Sequence, residues 1–248
     1  MAHKGSEVYD DEAFFSQYIA KRRRGNSPNE LLEEPIIDAF LGGIKNKELL
    51  DLGCGDAAYG RKLLESGLKS YHGIDGSTNM ISLAQQSLSG LTQARLEVKE
   101  IEGLNLPAEC YDIVLSRLVL HYIEQLEAVF TAVKTCLRKE GCFIFSVEHP
   151  IITSNYESYH QQTKVRRQNW VVDNYFFSGQ RVNQWIGKEV IKYHRTLDEY
   201  IQLIKATGFE IEEIRESKPE REHFLDISEY ERRMRIPLFL LFKLRKKP

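Results

Sequence analysis

Apolar and polar positions alternate along this chain in blocks that predict strands followed by helices. Apolar residues at helical spacing predict helices over Ala57–Ser66, after the capping residue Ser77, and from Leu126 to Leu137. Strands alternating with helices predict an α/β fold, in which helices cover both faces of a parallel sheet. Five short runs are predicted to be strands: Glu48–Leu52, Ser70–Asp75, Leu96–Lys99, Tyr111–Ser116 and Cys142–Val147. Tyr111–Ser116 is nearly continuously apolar, as a buried parallel strand requires.

The C-terminal part of the chain continues this pattern but ends differently. Thr196 and Glu199 form a capping box at the start of a predicted helix. Strands are predicted over Phe209–Ile214 and Ile236–Leu244. The charged stretch between them, residues 216–235, contains no crossover helix of the parallel kind, so the pattern is compatible with an antiparallel last strand.

Two regions do not show the alternation of predicted strands and helices. Residues 8–46 are helical and mixed, and residues 148–195 are rich in aromatic and amide side chains. We interpret the second region as an insertion with room for a hairpin, placed over the sheet edge where ligands of open α/β sheets bind. We predict one domain, 1–248, with four parts: a helical cap (1–46), a core (47–147), a substrate-lid insertion (148–195) and the C-terminal helix and strands (196–248).

Composition and charge exclude several classes of protein. The 248 residues are 42% hydrophobic and 28% charged with a net charge of −2, so a basic excess typical of nucleic-acid binders is absent. No run approaches the ~18 apolar residues of a membrane span, and the N-terminus lacks a signal peptide's apolar stretch. The four cysteines show no Cys-x-x-Cys spacing. We therefore expect a cytoplasmic protein with reduced thiols, no metal site and no membrane partner.

A glycine-rich turn follows the first strand of the core. Gly53 and Gly55 come directly after the apolar run that contains Asp51, and glycines there let a ligand approach the backbone closely. A second acid, Asp75, ends the next predicted strand about 20 residues later, as in adenosine-cofactor sites. The pattern predicts an adenosine-containing cofactor.

Two cofactors compete for this turn. A dinucleotide places its pyrophosphate at the helix start, where the carboxylate of Asp56 would repel it. S-Adenosylmethionine carries a sulfonium and an ammonium and no phosphate, so acids on both sides of the turn are acceptable. The charge pattern therefore favours S-adenosylmethionine, with an NAD-dependent oxidoreductase as the rival.

Four motifs, in order, resemble those of class I S-adenosylmethionine-dependent methyltransferases: Leu50–Gly55, Gly73–Asp75, Tyr111–Ser116 and Leu137–Cys142. The resemblance implies a three-layer, Rossmann-like, seven-stranded and mostly parallel sheet with an antiparallel last strand. It also implies S-adenosyl-L-methionine as the cofactor and S-adenosyl-L-homocysteine as its product.

The resemblance further implies which residues meet the cofactor. The methionine side is bordered by Asp51, Gly53, Cys54 and Gly55, and the ribose is held by Asp75. The adenosine is flanked by Gly76, Ser77 and Met80, and the adenine by Glu100 and Ile101, where the family usually has Asp instead of Glu. The methyl group lies near Ser116, Leu118 and His121.

Catalysis needs a general base only if the accepting atom still holds a proton. His149, directly after the fifth predicted strand, is the first candidate, with ordering of the turn before Pro150 as the alternative. His121 is the second candidate, and shaping the cofactor pocket is its alternative. Six residues are predicted to line an acceptor pocket with an apolar or planar part: Tyr18, Tyr159, Trp170, Tyr175, Trp185 and His194.

The acceptor class is predicted from motifs that the chain lacks. Amino-methyltransferases of nucleic acids carry an Asn/Asp-Pro-Pro-aromatic motif after the fourth strand, where this chain reads Ser116–Val119, and no Pro-Cys pair is present. We expect a small-molecule acceptor, methylated at oxygen, and a monomer or homodimer. Two alternatives stay open: a methyltransferase of tRNA or protein docked through Lys21–Arg24 and Lys164–Arg167, and a non-catalytic S-adenosylmethionine-binding protein.

Overall fold

The computed structural model describes residues 2–22, 27–154 and 169–247. Its strands are β1 His3–Lys4, β2 Glu48–Leu52, β3 Ser70–Asp75, β4 Ala94–Val98, β5 Tyr111–Arg117, β6 Leu137–Glu148, β7 Gly179–Trp185, β8 Lys188–His194, β9 Phe209–Glu216 and β10 Phe239–Lys246. Its helices are α1 Glu12–Arg22, α2 Glu34–Leu41, α3 Ala58–Glu65, α4 Thr78–Ser87, α5 Leu126–Cys136, α6 Pro150–Ser154, α7 Leu197–Ala206 and α8 Ile227–Arg233. Within the described ranges, every helix is too short or too polar to cross a membrane.

Seven strands form the central sheet, in the order β4-β3-β2-β5-β6-β10-β9. The strands from β4 to β6 are parallel, and β10 is antiparallel to both β6 and β9. The fold prediction is confirmed: the sheet is mostly parallel and its last strand is antiparallel. Because parallel strands share one carboxyl-end edge, the ends of β2, β3, β5 and β6 meet where ligands of such sheets bind.

Several predicted boundaries were wrong by a few residues. The run Leu137–Gly141 was expected to precede the fifth strand, but it already belongs to β6, where Leu137 pairs with Tyr111. The last strand begins at Phe239 instead of Ile236, because Pro237 has no N–H to donate and Leu238 donates its amide to a side chain. Pairing with β5 places the first boundary, and the missing N–H of Pro237 with the side-chain bond of Leu238 places the second.

Each face of the sheet carries its own apolar core. On one side, Phe143 and Phe145 of β6 pack with Phe130, Phe209 and Phe242. On the other side, aliphatic and aromatic residues of β2, β3 and β6 pack with α2 and α3. Successive strand residues point to opposite faces, so a central strand buried on both sides must be apolar throughout.

The insertion after the fifth core strand contains a hairpin. β7 and β8 pair antiparallel, and β1 adds a parallel third strand through His3↔Val190 and Lys4↔Ile191. Trp185 at the end of β7 packs edge-on against Phe14 of α1, with ring centroids 5.1 Å apart. The N-terminal residues and the hairpin are thereby joined into one layer.

Candidate functional site

A cavity of about 1290 Å³ lies at the carboxyl-end edge of the sheet. Its walls come from the glycine turn, the ends of β3 and β5, the N-terminal residues and the hairpin. Pockets for a single small ligand usually span about 300–1,000 Å³. The cavity therefore has room for two small molecules side by side.

The glycine turn forms one wall of this cavity. The amides of Gly53 and Cys54 both donate to the carbonyl of Ile74, at 2.7 and 3.0 Å. Gly53 has φ +78°, and a Cβ added there would lie 2.2 Å from Cγ2 of Val119. The turn is thus held against β3, and its backbone passes too close to a neighbour to carry a side chain at position 53.

Asp51 lines the cavity, and one of its two carboxylate oxygens has no partner among the described residues. Its Oδ2 accepts a hydrogen bond of 2.7 Å from the Tyr71 hydroxyl, whereas its Oδ1 is buried without a partner among the described residues. Burial raises the pKa of Asp51 to about 6, although the Tyr71 hydrogen bond lowers it. A buried carboxylate oxygen without a donor is costly, and a cationic ligand group would satisfy it.

Asp75 holds two loops together at the end of β3. Its Oδ2 accepts from the Gly55 amide and its Oδ1 from the Ser77 amide, both at 2.9 Å. Burial raises the pKa of Asp75, and the two amide bonds oppose that shift. The carboxylate is fixed in place at the cavity wall, because each oxygen is anchored by a backbone N–H and keeps a second lone pair.

The predicted adenosine residues divide into two groups. Gly76, Met80, Glu100 and Ile101 line the cavity. Ser77 does not, because its hydroxyl caps α4 by accepting from the Met80 amide at 3.1 Å. Ser77 is therefore a structural residue that fixes the helix beside the site.

An N-terminal segment, residues 4–10, belongs to the predicted cap (1–46) and covers the site through contacts that were not predicted. Ser6 donates to Oε1 of Glu100 at 2.9 Å, and Asp10 accepts from the Ser77 hydroxyl at 2.7 Å and the Asn79 amide at 3.1 Å. A Cβ on Gly76 would lie 2.5 Å from Oγ of Ser6. This polar stretch has no periodicity, so the sequence carries no signal for it.

One residue of the basic run reaches the glycine turn. Nε of Arg22 lies 3.2 Å from Oδ2 of Asp56, and its Nη1 donates to the Tyr18 hydroxyl at 3.0 Å. The negative charge of Asp56 is therefore offset by α1. Arg23 and Arg24 lie outside the described residues, as does Lys164–Arg167.

The residues predicted near the methyl group lie after β5. Ser116 is buried and donates to the Leu52 carbonyl at 3.0 Å, so it joins strands instead of lining the cavity. Leu118 and His121 do line it. Nδ1 of His121 accepts from the Glu148 amide at 3.3 Å, which leaves the ring proton on Nε2. Burial lowers the pKa of His121 to about 3, so the ring is neutral at physiological pH.

His149 is not among the residues that line the cavity. Its Nδ1 accepts from the Ile151 amide at 3.1 Å, and its Nε2 lies 3.0 Å from Oε1 of Glu216. Because Nδ1 accepts, the proton sits on Nε2 and is donated to Glu216. The predicted role as a base is corrected by this geometry: the side chain orders the turn after β6.

Of the six residues predicted to line the acceptor pocket, some line the cavity and others hold the fold together. Tyr18 and Trp185 line the cavity. Three others serve the fold: Trp170 donates to the Ile151 carbonyl at 3.0 Å, the Tyr175 hydroxyl accepts from the Leu197 amide at 3.2 Å, and His194 bonds Thr153 at 2.7 Å and the Tyr175 carbonyl at 2.9 Å. Tyr159 lies outside the described residues.

Two buried ion pairs at the cavity wall were also missed. Lys192 of β8 pairs with Glu148 at 2.6 Å, and Arg117 of β5 pairs with Glu33 at 2.7 Å. The Arg117 guanidinium also lies 4.1 Å from the ring centre of Tyr59. The partners of each pair are far apart in sequence, so no local pattern joins them.

Comparison with known proteins gives consistent results. A family described as "Methyltransferase domain" matches residues 50–145. An uncharacterised protein of Haemophilus influenzae is 32% identical over 216 residues, which cover 84% of this chain and 85% of the relative. The structure of an S-adenosylmethionine-dependent methyltransferase from Mesorhizobium loti is 31% identical, with a TM-score of 0.77 over 86% of this chain and 97% of the other. A candidate enzyme of the same class from Listeria monocytogenes is 33% identical, with a TM-score of 0.80 over 87% and 97%.

Proposed function

The chain belongs to the S-adenosylmethionine-dependent methyltransferases, and we propose that it methylates an oxygen atom of a small-molecule acceptor. The donor assignment rests on Asp51, which lines the cavity and whose buried Oδ1 has no partner within the described ranges. The ammonium group of the methionine moiety matches this atom in charge and in hydrogen-bonding capacity.

We assign the remaining donor contacts by position. Asp75, anchored by two amides, would bond the ribose hydroxyls, and Gly53, Cys54 and Gly55 would border the methionine. Gly76, Met80, Glu100 and Ile101 would enclose the adenosine. Bound there, S-adenosylmethionine supplies a methyl group activated by its positively charged sulfur.

A small acceptor is supported by the size and covering of the cavity. About 1290 Å³ leaves space beyond the donor, and the N-terminal segment and the hairpin cover that space. Tyr18 and Trp185, with ring centroids 5.7 Å apart, offer flat apolar surface to a planar part of the acceptor.

In this proposal the methyl transfer is accelerated by aligning the donor with the acceptor and by excluding water from the cavity, and not by a general base. His149 bonds to Glu216 away from the cavity, and the pKa of His121 is lowered to about 3 by burial, so neither is suited to take a proton. Holding both reactants in line within a covered cavity can contribute most of the acceleration of a displacement reaction.

Incubation of the chain with methyl-labelled S-adenosylmethionine and a fractionated bacterial extract tests the proposal. Label is expected in fractions of small molecules and absent from tRNA and protein. Label in a macromolecule would show that the acceptor class is wrong. An Asp51→Asn variant is the matched control, because it keeps the shape of the side chain and loses its charge.

Affinity for S-adenosylhomocysteine is expected to fall in acid. The pKa of Asp51 is about 6 in the free protein, above the value of about 4 for an unfolded aspartate. Between about pH 4 and pH 6, Asp51 is therefore mostly protonated in the native state and mostly ionised in the unfolded state. The contribution of Asp51 to the free energy of unfolding falls as the pH rises through this range. A bound ammonium favours the carboxylate, so the dissociation constant should be roughly tenfold larger at pH 5 than at pH 7.

Calorimetric titration with S-adenosylhomocysteine at pH 5, 6 and 7 measures this dependence. The Asp51→Asn variant should bind weakly and almost equally at all three values. A wild-type affinity that does not change over this range would contradict the assignment of Asp51.

Asp10→Ala is expected to weaken binding of S-adenosylhomocysteine by roughly 3- to 10-fold, because two hydrogen bonds that hold the N-terminal segment over the site are lost. Glu12→Ala, which removes an exposed acid two residues away, is the control and should bind normally. Equal affinities for the two variants would show that the segment does not contribute to donor binding.

A further inference from the structure

Lys192 is a buried cation at the acceptor side of the cavity. Its side chain is 4% exposed, and its Nζ lies 5.5 Å from the ring centre of Tyr122 and 5.8 Å from that of Trp185. The salt bridge with Glu148 offsets the negative charge of that carboxylate. Lysine is rarely this buried unless its charge is paired, as it is here.

A second hydrogen-bond donor, His121, lines the same cavity. His121 keeps its proton on Nε2 because Nδ1 accepts from the Glu148 amide, and within the described part of the chain no group accepts from Nε2. Glu148 thus joins the two groups, His121 through its backbone and Lys192 through its carboxylate. An oxygen anion that reaches both groups would share the Lys192 ammonium with Glu148 and accept a hydrogen bond from the His121 ring N–H.

Three described residues at this end of the cavity, His121, Tyr122 and Glu148, are poorly suited to accept a proton. Burial lowers the pKa of His121 and raises the pKa of Tyr122 well above its usual range. The Glu148 carboxylate accepts from Lys192 at 2.6 Å. An alcohol gains nothing from these three groups as bases, whereas a carboxylic acid is already ionised at neutral pH and needs none.

We propose that the acceptor is a carboxylate and that Lys192, with His121, binds its oxygen atoms. The inference rests on the proposed function and names its substrate class. In the reaction, a lone pair of the carboxylate oxygen forms a bond to the methyl carbon. The carbon–sulfur bond breaks, and its electron pair stays on the sulfur. The products are a neutral methyl ester and S-adenosylhomocysteine, and no proton is released.

The chemistry of the product tests this directly. The full chain is incubated with methyl-labelled S-adenosylmethionine and the small molecules of a bacterial extract that an anion exchanger retains. The expected product releases its label as methanol in mild alkali, as methyl esters do and methyl ethers and methylamines do not. Alkali-stable label, or label only in the fraction that is not retained, would overturn the proposal.

Variants at position 192 give a second test. Lys192→Met should lower the rate of transfer to the retained fraction by roughly 10- to 100-fold, since a hydrogen bond from a charged group is lost. Lys192→Arg keeps the positive charge and should therefore retain much of the wild-type rate of transfer. Lys205→Met, at an exposed position of α7, is the matched control.

Loss of folding is separated from loss of binding by a double variant. Glu148→Gln/Lys192→Met removes both charges of the pair, so no unpaired charge stays buried. Normal binding of S-adenosylhomocysteine with slow transfer supports the inference, and transfer at the wild-type rate overturns it. Failure of the wild-type chain to bind S-adenosylhomocysteine would instead count against the proposed function as a whole.

Discussion

Asp75→Ala should weaken binding of S-adenosylhomocysteine by roughly 100-fold or more. The carboxylate is the proposed partner of both ribose hydroxyls, and hydrogen bonds to a charged group are stronger than neutral ones. Its loss also frees the amides of Gly55 and Ser77, which it holds at 2.9 Å. Both the direct contact and the shape of the site are therefore lost. Calorimetric titration at a temperature where the variant is folded measures the effect.

Asp112→Ala is the matched control for this prediction. Asp112 also lies on a core strand, but it accepts from the Glu48 amide at 2.8 Å and from Arg138 at 3.0 Å, and it does not line the cavity. Its replacement should lower stability and leave the affinity within about twofold of wild type. If Asp75→Ala binds as tightly as Asp112→Ala, the assignment of Asp75 to the ribose is wrong.

Gly53→Ala should lower the free energy of unfolding by about 3 kcal/mol. The residue has φ +78°, and the added Cβ would lie 2.2 and 2.9 Å from the two methyl groups of Val119. Left-handed backbone costs about 1–2 kcal/mol for a residue with a side chain, and overpacking usually adds about 1–3 kcal/mol. Urea unfolding followed by circular dichroism measures the sum.

Gly55→Ala separates the two causes of this loss. Gly55 has φ +56° but no atom within 4 Å of an added Cβ, so only the backbone cost of about 1–2 kcal/mol applies. Adding Val119→Ala to Gly53→Ala should recover part of the lost stability. Equal losses for Gly53→Ala and Gly55→Ala would mean that contact with Val119 is unimportant.

The donor half of the site could be predicted because the residues that form it are recognised from short sequence motifs at the ends of strands. Asp51 and Asp75 each end a buried strand, and parallel strands bring such ends together at one edge. The structure places both beside the glycine turn, as this rule requires. Ser77 follows β3 and Ser116 lies in β5, but the Ser77 hydroxyl accepts from the Met80 amide and the Ser116 hydroxyl donates to the Leu52 carbonyl, so neither lines the cavity. Proximity in sequence therefore predicts the neighbourhood of a residue better than the direction of its side chain.

The acceptor half could not be predicted in the same way. His149 follows a core strand, as Asp75 does, yet both of its ring nitrogens are bound by the turn and by Glu216. Lys192 lies in the hairpin, and its burial and its pairing with Glu148, 44 residues away, are visible only in the folded chain. Its position depends on how the hairpin is placed over the sheet.

The sequence by itself determined the order of strands and helices, the glycine turn with its two acids, and the methyltransferase family. These features depend on short-range periodicity, turn chemistry and motif spacing, which operate within a few residues. Tertiary structure alone decided which side chains face the cavity and what covers it. Its decisive contacts join Ser6 to Glu100 across 94 residues and Arg117 to Glu33 across 84. Such contacts form only when the packed sheet brings distant segments together, and no local pattern records them.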